Sequence, residues 1–277
     1  MSISVLPPTN DWIFKLLFGD ERNKSTLIDL LKSFVELPDE EYELTFLDPH
    51  VKREAEDDKL GILDVKVKTK TGKVIDIEIQ VEPMKDIGKR LSFYKSKLIA
   101  EQIGKKEHYS KIQRVICVCI TSKPLFLGVK GYLNNFRFYN RENGLCFEDM
   151  PEEIYTLELS KVPDAADGSA VWGWLQFLRA KTMEEFEMAA ERNPEIRKAL
   201  ENLYELSQNA EVREEYERRL KAWRDYASQM DGHFWEGVEQ TKRENARNAL
   251  AEGLPMEVVQ RITGLDIETI SGLKEGV

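Results

Sequence analysis

The sequence has few residues of the types that bind zinc or form disulfide bridges. It contains three cysteines and three scattered histidines, with no Cys/His spacing typical of metal ligands. Cys117 and Cys119 alternate within the apolar run VICVCI, and Cys146 stands apart from them. This pattern favours free cysteines in the core of a protein from a reducing compartment. A zinc site is therefore not expected.

Long apolar runs and a net positive charge are also missing. No stretch approaches the length of a membrane-spanning helix and no signal-peptide pattern opens the chain, so we expect a cytoplasmic protein with no membrane partner. The net charge of −10 over 277 residues argues against a general nucleic-acid binder. Residues 84–137, however, contain twelve basic and three acidic residues, a local charge of +9 that is compatible with contacts to a DNA backbone.

Hydrophobic periodicity predicts an α/β region followed by helices. The stretch from residue 7 to residue 35 predicts two helices, the first capped by Thr9 or Asn10 and ended by Gly19. Residues 61–81 alternate with period two, which predicts strands, and residues 86–107 change to helical spacing. The run VICVCI is apolar on both faces, which places it at the centre of a sheet.

The chain changes character after Pro163. SAVWGWLQFLRA predicts a helix with an aromatic face, and residues 183–250 combine charges at helical spacings with almost no strand signal. The end of the chain, ALAEGLPMEVVQRITGLDIETISGL, has the rhythm of a helix-turn-helix unit. We therefore predict three parts: a core over residues 1–165, a helical extension over 166–245 and a small helical tail over 246–277.

The segment GILDVKVKTKTGKVIDIEIQV predicts a hairpin with one apolar and one polar face. Isoleucines alternate along its second strand, and Asp76, Glu78 and Gln80 share the opposite face. The two apolar faces coincide if the connecting loop has three residues, Lys70-Thr71-Gly72, with the glycine in the left-handed conformation. The resulting register sets Lys66 opposite Asp76 and Asp64 opposite Glu78.

The polar face of this hairpin has two interpretations. It can simply meet water, since outer faces of hairpins commonly carry charged side chains. Alternatively, Asp64 and Glu78 share a divalent cation, because two carboxylates with Cβ atoms about 5 Å apart repel each other unless a cation lies between them. Magnesium accepts such oxygens and retains water ligands for a phosphate to replace.

Five stretches resemble the Rpn family of recombination-promoting nucleases, transposases of the PD-(D/E)XK type. They are NDWIFKLLFG, LDVKVKTKTGKVIDIEIQ, KRLSFYKSKLIAEQIGKKEHY, VICVCI and GLPMEVVQRITGLDIETISGL. The resemblance covers most of the first 160 residues and the C-terminus. It implies a restriction-endonuclease-like core, a mixed sheet flanked by helices, and a metal-dependent endonuclease that hydrolyses DNA phosphodiester bonds in recombination or transposition.

The same resemblance assigns roles to residues of the hairpin. Asp64, Glu78 and Gln80 match the catalytic positions, and Mg²⁺ or Mn²⁺ is expected on Asp64, Glu78 and the carbonyl of Ile79. Gln80 stands where the wider superfamily has lysine, which removes a cationic group from the site. Lys66 lies on the same face, and we hypothesise that it substitutes for that lysine.

Two residues of the following helix are expected at the substrate. By resemblance, Arg90 and Tyr94 reach the substrate phosphate together with Lys66. The alternative is that Tyr94 packs in the core and Arg90 lies on the surface. Asp11 matches a motif position without an assigned role, and capping or packing is as plausible for it as catalysis.

Three questions of function stay open at the level of sequence. A non-catalytic DNA-binding or assembly protein that keeps the fold is the main alternative to a nuclease, and RNA is an alternative substrate. The last helix of the tail carries Asp266 and Glu268 and is a poor reader of base edges. A homodimer through the helical extension is a further expectation.

Overall fold

Six strands form one mixed sheet in the computed structural model, which describes residues 5–50, 63–80 and 86–274. Their order is β1-β2-β3-β4-β6-β5. The three central strands β3, β4 and β6 are parallel, and the remaining pairs are antiparallel. The strands are β1 (Thr45–Phe46), β2 (Val65–Lys68), β3 (Val74–Gln80), β4 (Val115–Thr121), β5 (Leu133–Phe136) and β6 (Glu152–Glu158).

Nine α-helices are found in the described residues. They are α1 (Asp11–Phe18), α2 (Lys24–Lys32), α3 (Ile87–Ala100), α4 (Ala170–Arg179), α5 (Met183–Ala190), α6 (Pro194–Gln208), α7 (Ala210–Ala251), α8 (Met256–Thr263) and α9 (Ile267–Lys274). Helix α1 packs on β3, and α3 packs on β4. The mixed sheet with flanking helices confirms the predicted fold class.

The chain divides into two compact units, Met1–Arg213 and Glu214–Val277. The first unit includes the sheet and helices α1 to α6, so the first half of the predicted helical extension lies in the same unit as the core. The predicted three-part division of the chain stays a prediction. Among the described helices, none is both long and apolar enough to cross a bilayer.

The β2–β3 hairpin has the predicted register. Lys66 pairs with Asp76 and Lys68 pairs with Val74. Gly72 has φ +101°, a conformation that glycine adopts without the clash of a Cβ atom, and the Thr69 N–H donates to the Lys73 carbonyl at 2.8 Å to close the three-residue loop. Ile62 and Val81, which the sequence places at the ends of the hairpin, lie outside the described residues.

Both faces of the hairpin are buried around Lys66, Asp76 and Glu78, while Lys68 at the end of β2 is exposed, so the interpretation in which the polar face simply meets water is wrong. Ile75 and Ile77 are fully buried on one face, as expected. On the other face Asp76 is fully buried, while Glu78 and Lys66 are 4% and 8% exposed. Helix α3 contributes to this burial because Leu98 packs in one cluster with Val74 and Cys117.

Helix α1 begins and ends where the sequence predicts. The side chain of Asn10, one of the two expected caps, accepts hydrogen bonds from the N–H groups of Trp12 and Ile13, and Gly19 ends the helix. Its buried residues are Ile13, Phe14, Leu17 and Phe18. Lys15 and Asp11 therefore lie one helical turn apart, off the buried face.

The second unit is built on the C-terminal end of α7. Its core consists of Ala246, Ala249, Val259, Leu265, Ile270 and Leu273. Gly264, with φ +72°, ends α8 and allows the chain to turn into α9. The end of α7, α8 and α9 cover the stretch whose sequence has the rhythm of a helix-turn-helix unit.

Candidate active site

Asp64 directly precedes β2 and is held by two groups from different elements. Its Oδ2 accepts a hydrogen bond from the N–H of Ile79 at 2.8 Å, and its Oδ1 lies 3.2 Å from Nζ of Lys15 on α1. Burial raises the pKa of Asp64, although the hydrogen bond and the lysine act to lower it. The carboxylate is thus oriented by β3 and α1 together.

Glu78 lies on β3 with its carboxylate close to that of Asp64. Its Oε2 lies 3.1 Å from Nη2 of Arg90 on α3. Burial raises the pKa of Glu78, and the negative charge of Asp64 raises it further, while Arg90 acts in the opposite direction. The two predicted catalytic acids therefore occupy one electrostatic environment.

Asp76 is a third carboxylate at this site, and the predicted catalytic and metal-binding residues did not include it. It is fully buried, and neither of its oxygens has a hydrogen-bond partner among the described residues. Burial raises the pKa of Asp76 well above its ordinary value, and the charges of Glu78 and Asp64 raise it further. The signal was available in the sequence, because Asp76 and Glu78 are two residues apart on one strand and so share a face.

Lys66 lies opposite Asp76 in the strand register, but the two side chains do not form an ion pair. The Nζ of Lys66 lies 3.3 Å from Oε2 of Glu101, at the end of α3, and the lysine is buried. Gln80 ends β3 two residues after Glu78 and is half-buried. The catalytic roles predicted for Lys66 and Gln80 stay predictions.

Arg90 and Tyr94 contact each other one helical turn apart on α3. The Arg90 guanidinium lies 5.2 Å from the centroid of the Tyr94 ring. Tyr94 also packs against a core cluster that includes Leu63 and Leu98. Tyr94 therefore has the packing role that was its alternative interpretation, and Arg90 is directed toward Glu78; the predicted contacts to a phosphate are untested.

Helix α1 brings two charged residues to Asp64 that sequence reasoning left without a role. Lys15 forms the ion pair described above, and the exposed Asp11 lies near enough for its charge to act on the pKa of Asp64. Asn10 is the N-cap residue of the helix, and the side chain of Asp11 also accepts a hydrogen bond from the Trp12 N–H at 2.8 Å. The spacing of four residues between Asp11 and Lys15 was the available signal.

The carboxylates of Asp76 and Glu78 fit a nearby divalent cation, because their negative charge is not fully compensated by hydrogen bonds or ion pairs of the described residues. In the ranges that the structure describes, no set of three or more His, Cys, Asp or Glu side chains is arranged to hold a metal ion. The predicted ligand set is smaller, two carboxylates and the Ile79 carbonyl. Both oxygens of Asp76 and Oε1 of Glu78 are buried without hydrogen bonds, and burying such charges without compensation is costly. A cation at Asp64 and Glu78 would offset this charge.

Ion pairs within the protein neutralise part of the basic stretch 84–137. In the part of this stretch that the structure describes, the cations that bind carboxylates include Lys89, Arg90, Lys95, Lys111, Arg114 and Arg137. Four other lysines of this stretch are exposed: Lys105, Lys106, Lys123 and Lys130. These four are the strongest candidates for contacts to a phosphate backbone.

The fold and the site together define a nuclease-like protein. An acid before one strand and a second acid on the next strand, in a mixed sheet flanked by helices, form the arrangement expected of a PD-(D/E)XK core. The chain belongs to the PD-(D/E)XK nuclease family transposases, whose family model matches residues 8–233. No match was found among curated proteins or among solved structures. The predicted family is therefore confirmed.

Proposed function

We propose that this protein is a metal-dependent endonuclease that hydrolyses phosphodiester bonds of DNA, in a pathway of recombination or transposition. The observation that carries the proposal is the burial of Asp76 and Glu78 beside the charge of Asp64: among the described residues, both oxygens of Asp76 and one oxygen of Glu78 have no hydrogen-bond partner. The family membership supports DNA as the substrate. We also propose the cytoplasm as its compartment, in agreement with its three free cysteines.

Asp64, Glu78 and the Ile79 carbonyl would hold Mg²⁺ or Mn²⁺. Such an ion supplies Lewis acidity, which activates a water molecule and offsets the charge that develops on the phosphate. Asp64 is already oriented for this role by the Ile79 N–H, so binding requires little reorganisation of that side chain. Gln80 would orient a water molecule at the C-terminal end of β3.

Cationic side chains would bind the substrate after rearranging. Lys66 is paired with Glu101 and Arg90 with Glu78, so each exchanges a carboxylate for a phosphate oxygen when substrate binds. Tyr94 supports Arg90 through its ring. A Lys66→Ala protein that keeps full cleavage activity would exclude Lys66 as the substitute for the missing lysine.

A non-catalytic DNA-binding or assembly protein is the second candidate. It is favoured by Gln80 in place of lysine and by the ion pairs of Lys15 with Asp64 and of Arg90 with Glu78, which offset part of the charge of the two acids without a metal. The homodimer expected from the helical extension remains a prediction under either candidate.

Plasmid nicking separates these candidates. Wild type, Asp64→Ala, Glu78→Ala and the surface control Asp149→Ala are compared with Mg²⁺ or Mn²⁺. We expect nicking by wild type and the control, and its loss in both site variants. Equal nicking by all four would indicate a contaminating nuclease, and no nicking under any condition would favour the non-catalytic candidate. RNA offered to the same set tests the substrate class.

The metal is tested separately by thermal unfolding. Mn²⁺ should raise the unfolding midpoint of wild type, because a ligand that binds only the folded state stabilises it. The shift should be lost in Glu78→Gln and retained in Glu153→Gln, which changes another buried glutamate of the same sheet. A wild-type protein whose midpoint does not respond to Mn²⁺ would argue against the site.

A further inference from the structure

Helix α7 carries an apolar stripe that lies on its exposed surface. Trp223, Met230 and Phe234 are each at least half exposed, and the buried residues of the fully described helix are Ala246 and Ala249 at its C-terminal end. Single exposed apolar residues are normal, but several large ones on one helix face indicate a contact surface.

The stripe follows the spacing of a coiled coil. Its positions alternate in steps of four and three residues over about three and a half heptads, which keeps one seam of the helix facing a partner helix. We define the α7 stripe as Tyr216, Leu220, Trp223, Ala227, Met230, Phe234, Gly237 and Thr241. At about 1.5 Å per residue, this seam is roughly 39 Å long.

The geometry points to a second copy of this chain as the partner, docked antiparallel on the α7 stripe. A two-fold axis midway between Ser228 and Gln229 maps every position of the stripe onto another position of the stripe. Trp223 then meets Phe234 of the second copy, Leu220 meets Gly237, and Ala227 meets Met230. Two of these layers combine a large with a small side chain, which fills space without voids or clashes.

Charge selects the antiparallel over the parallel orientation. Residues 218–224 contain four cations and no acid, whereas residues 231–239 contain three acids and no lysine or arginine. Glu215 on the same helix pairs with Arg218 and Arg219. The other two cations of this segment, Lys221 and Arg224, lie nearer to the two-fold axis in sequence. The antiparallel arrangement sets this basic segment beside the acidic one, with Arg224 and Asp231 flanking the same layer.

A parallel arrangement has two defects that the antiparallel one avoids. Each residue of the α7 stripe would face its own copy, so Gly237 would leave a gap in its layer while Trp223 crowded its own layer. The four cations of residues 218–224 would face one another, and like charges at this distance destabilise an interface. The homodimer expected from the helical extension thus acquires a specific surface and orientation.

Sedimentation of the full chain between 1 and 100 µM tests the surface. We expect a monomer–dimer equilibrium for wild type, and at least a tenfold weaker association for Met230→Lys, which places an uncompensated charge in the central layer. Trp235→Lys is the matched control, since Trp235 is also an exposed apolar residue of the same helix but lies outside the stripe. A chain that stays monomeric throughout would overturn the proposal, as would equal weakening by both variants.

Cross-linking tests the orientation. Trp223→Cys and Phe234→Cys are prepared as separate full-length proteins in a Cys146→Ser background, since the other two cysteines are buried. Under mild oxidation, the mixture should form a disulfide-linked dimer, whereas each protein alone should not. A link formed by either protein alone would indicate the parallel orientation and overturn the proposal. Neither result depends on nuclease activity, because the α7 stripe contains none of the catalytic residues.

Discussion

The ammonium group of Lys15 lies 3.2 Å from Oδ1 of Asp64, so helix α1 supplies a cation to the aspartate that precedes β2. The other oxygen of Asp64 accepts the N–H of Ile79 at 2.8 Å. A divalent ion on Asp64 must therefore share the carboxylate with Lys15 or displace the lysine from it.

Lys15→Met should increase the affinity for Mn²⁺ severalfold. The substitution removes a competing positive charge, worth on the order of 1 kcal/mol at a partly exposed site, while the Ile79 N–H still orients Asp64. Isothermal titration measures the affinity, and Lys24→Met on the neighbouring helix is the control. Unchanged or weaker binding would show that Lys15 orients Asp64 and does not compete for it.

Asp76→Asn should stabilise the metal-free protein at pH 8. Burial raises the pKa of Asp76, so the folded state retains a proton that the unfolded chain has already lost. Stability therefore falls as the pH rises from the ordinary carboxyl pKa toward the raised one, and the substitution removes that penalty.

Thermal unfolding across pH 5 to pH 8 checks this expectation. The gain from Asp76→Asn should be larger at pH 8 than at pH 5 and should amount to about 1–3 kcal/mol. Asp149→Asn, at an exposed aspartate, should show no gain at either pH. A lower stability of Asp76→Asn at pH 8 would mean that the buried carboxylate is compensated in solution.

Sequence periodicity was sufficient to predict the hairpin, its three-residue loop and the pairing of Lys66 with Asp76, because a slip of one residue would exchange the two faces of each strand. It was insufficient for the burial of the polar face. That burial comes from α3, whose position over the sheet is a tertiary contact between residues distant in sequence. For the same reason, the strand register gave the backbone partner of Lys66 correctly but not its ionic partner. The ammonium group of Lys66 binds Glu101 at the end of α3 and not the neighbouring carboxylate of Asp76.

The contribution of α1 to the site was missed for a different reason. Lys15 and Asp64 are 49 positions apart, and the ion pair between them depends on the packing of α1 against the sheet. The apolar face of α1 could be identified from sequence, and with it the side on which Lys15 lies. The local sequence pattern does not show which strand the Lys15 side of α1 approaches.

Glu41→Gln should destabilise the protein at neutral pH by about 2 kcal/mol. Glu41 is buried and accepts hydrogen bonds from Thr69, Thr71 and Lys73, so it fixes the loop of the β2–β3 hairpin. Burial acts to raise the pKa of Glu41, but the bonds from Lys73 and the two threonines outweigh it and lower the pKa to about 2.

The pH dependence of this effect has the opposite sign to that of Asp76. A lowered native pKa stabilises the fold at pH values above the ordinary glutamate pKa, and this stabilisation is lost as the pH falls toward 2. Wild type and Glu41→Gln should therefore converge in urea-unfolding free energy between pH 4.5 and pH 2, and Glu43→Gln, at an exposed glutamate nearby, should follow wild type. Curves that stay parallel would show that the loop does not depend on the charge of Glu41.

Substitution of Lys105 and Lys106 by alanine should weaken DNA binding and reduce its dependence on salt. Both lysines are exposed, and each cation that neutralises a phosphate adds about 0.9 to the slope of log affinity against log salt. The slope should therefore decrease by up to about 2 in the double variant. Fluorescence anisotropy with a labelled duplex measures it, in the presence of Ca²⁺ so that cleavage does not interfere. Lys181→Ala, at an exposed lysine outside the basic stretch, should leave the slope unchanged. A double variant that binds less tightly with an unchanged slope would indicate an indirect effect on the fold and would exclude the two lysines as phosphate contacts.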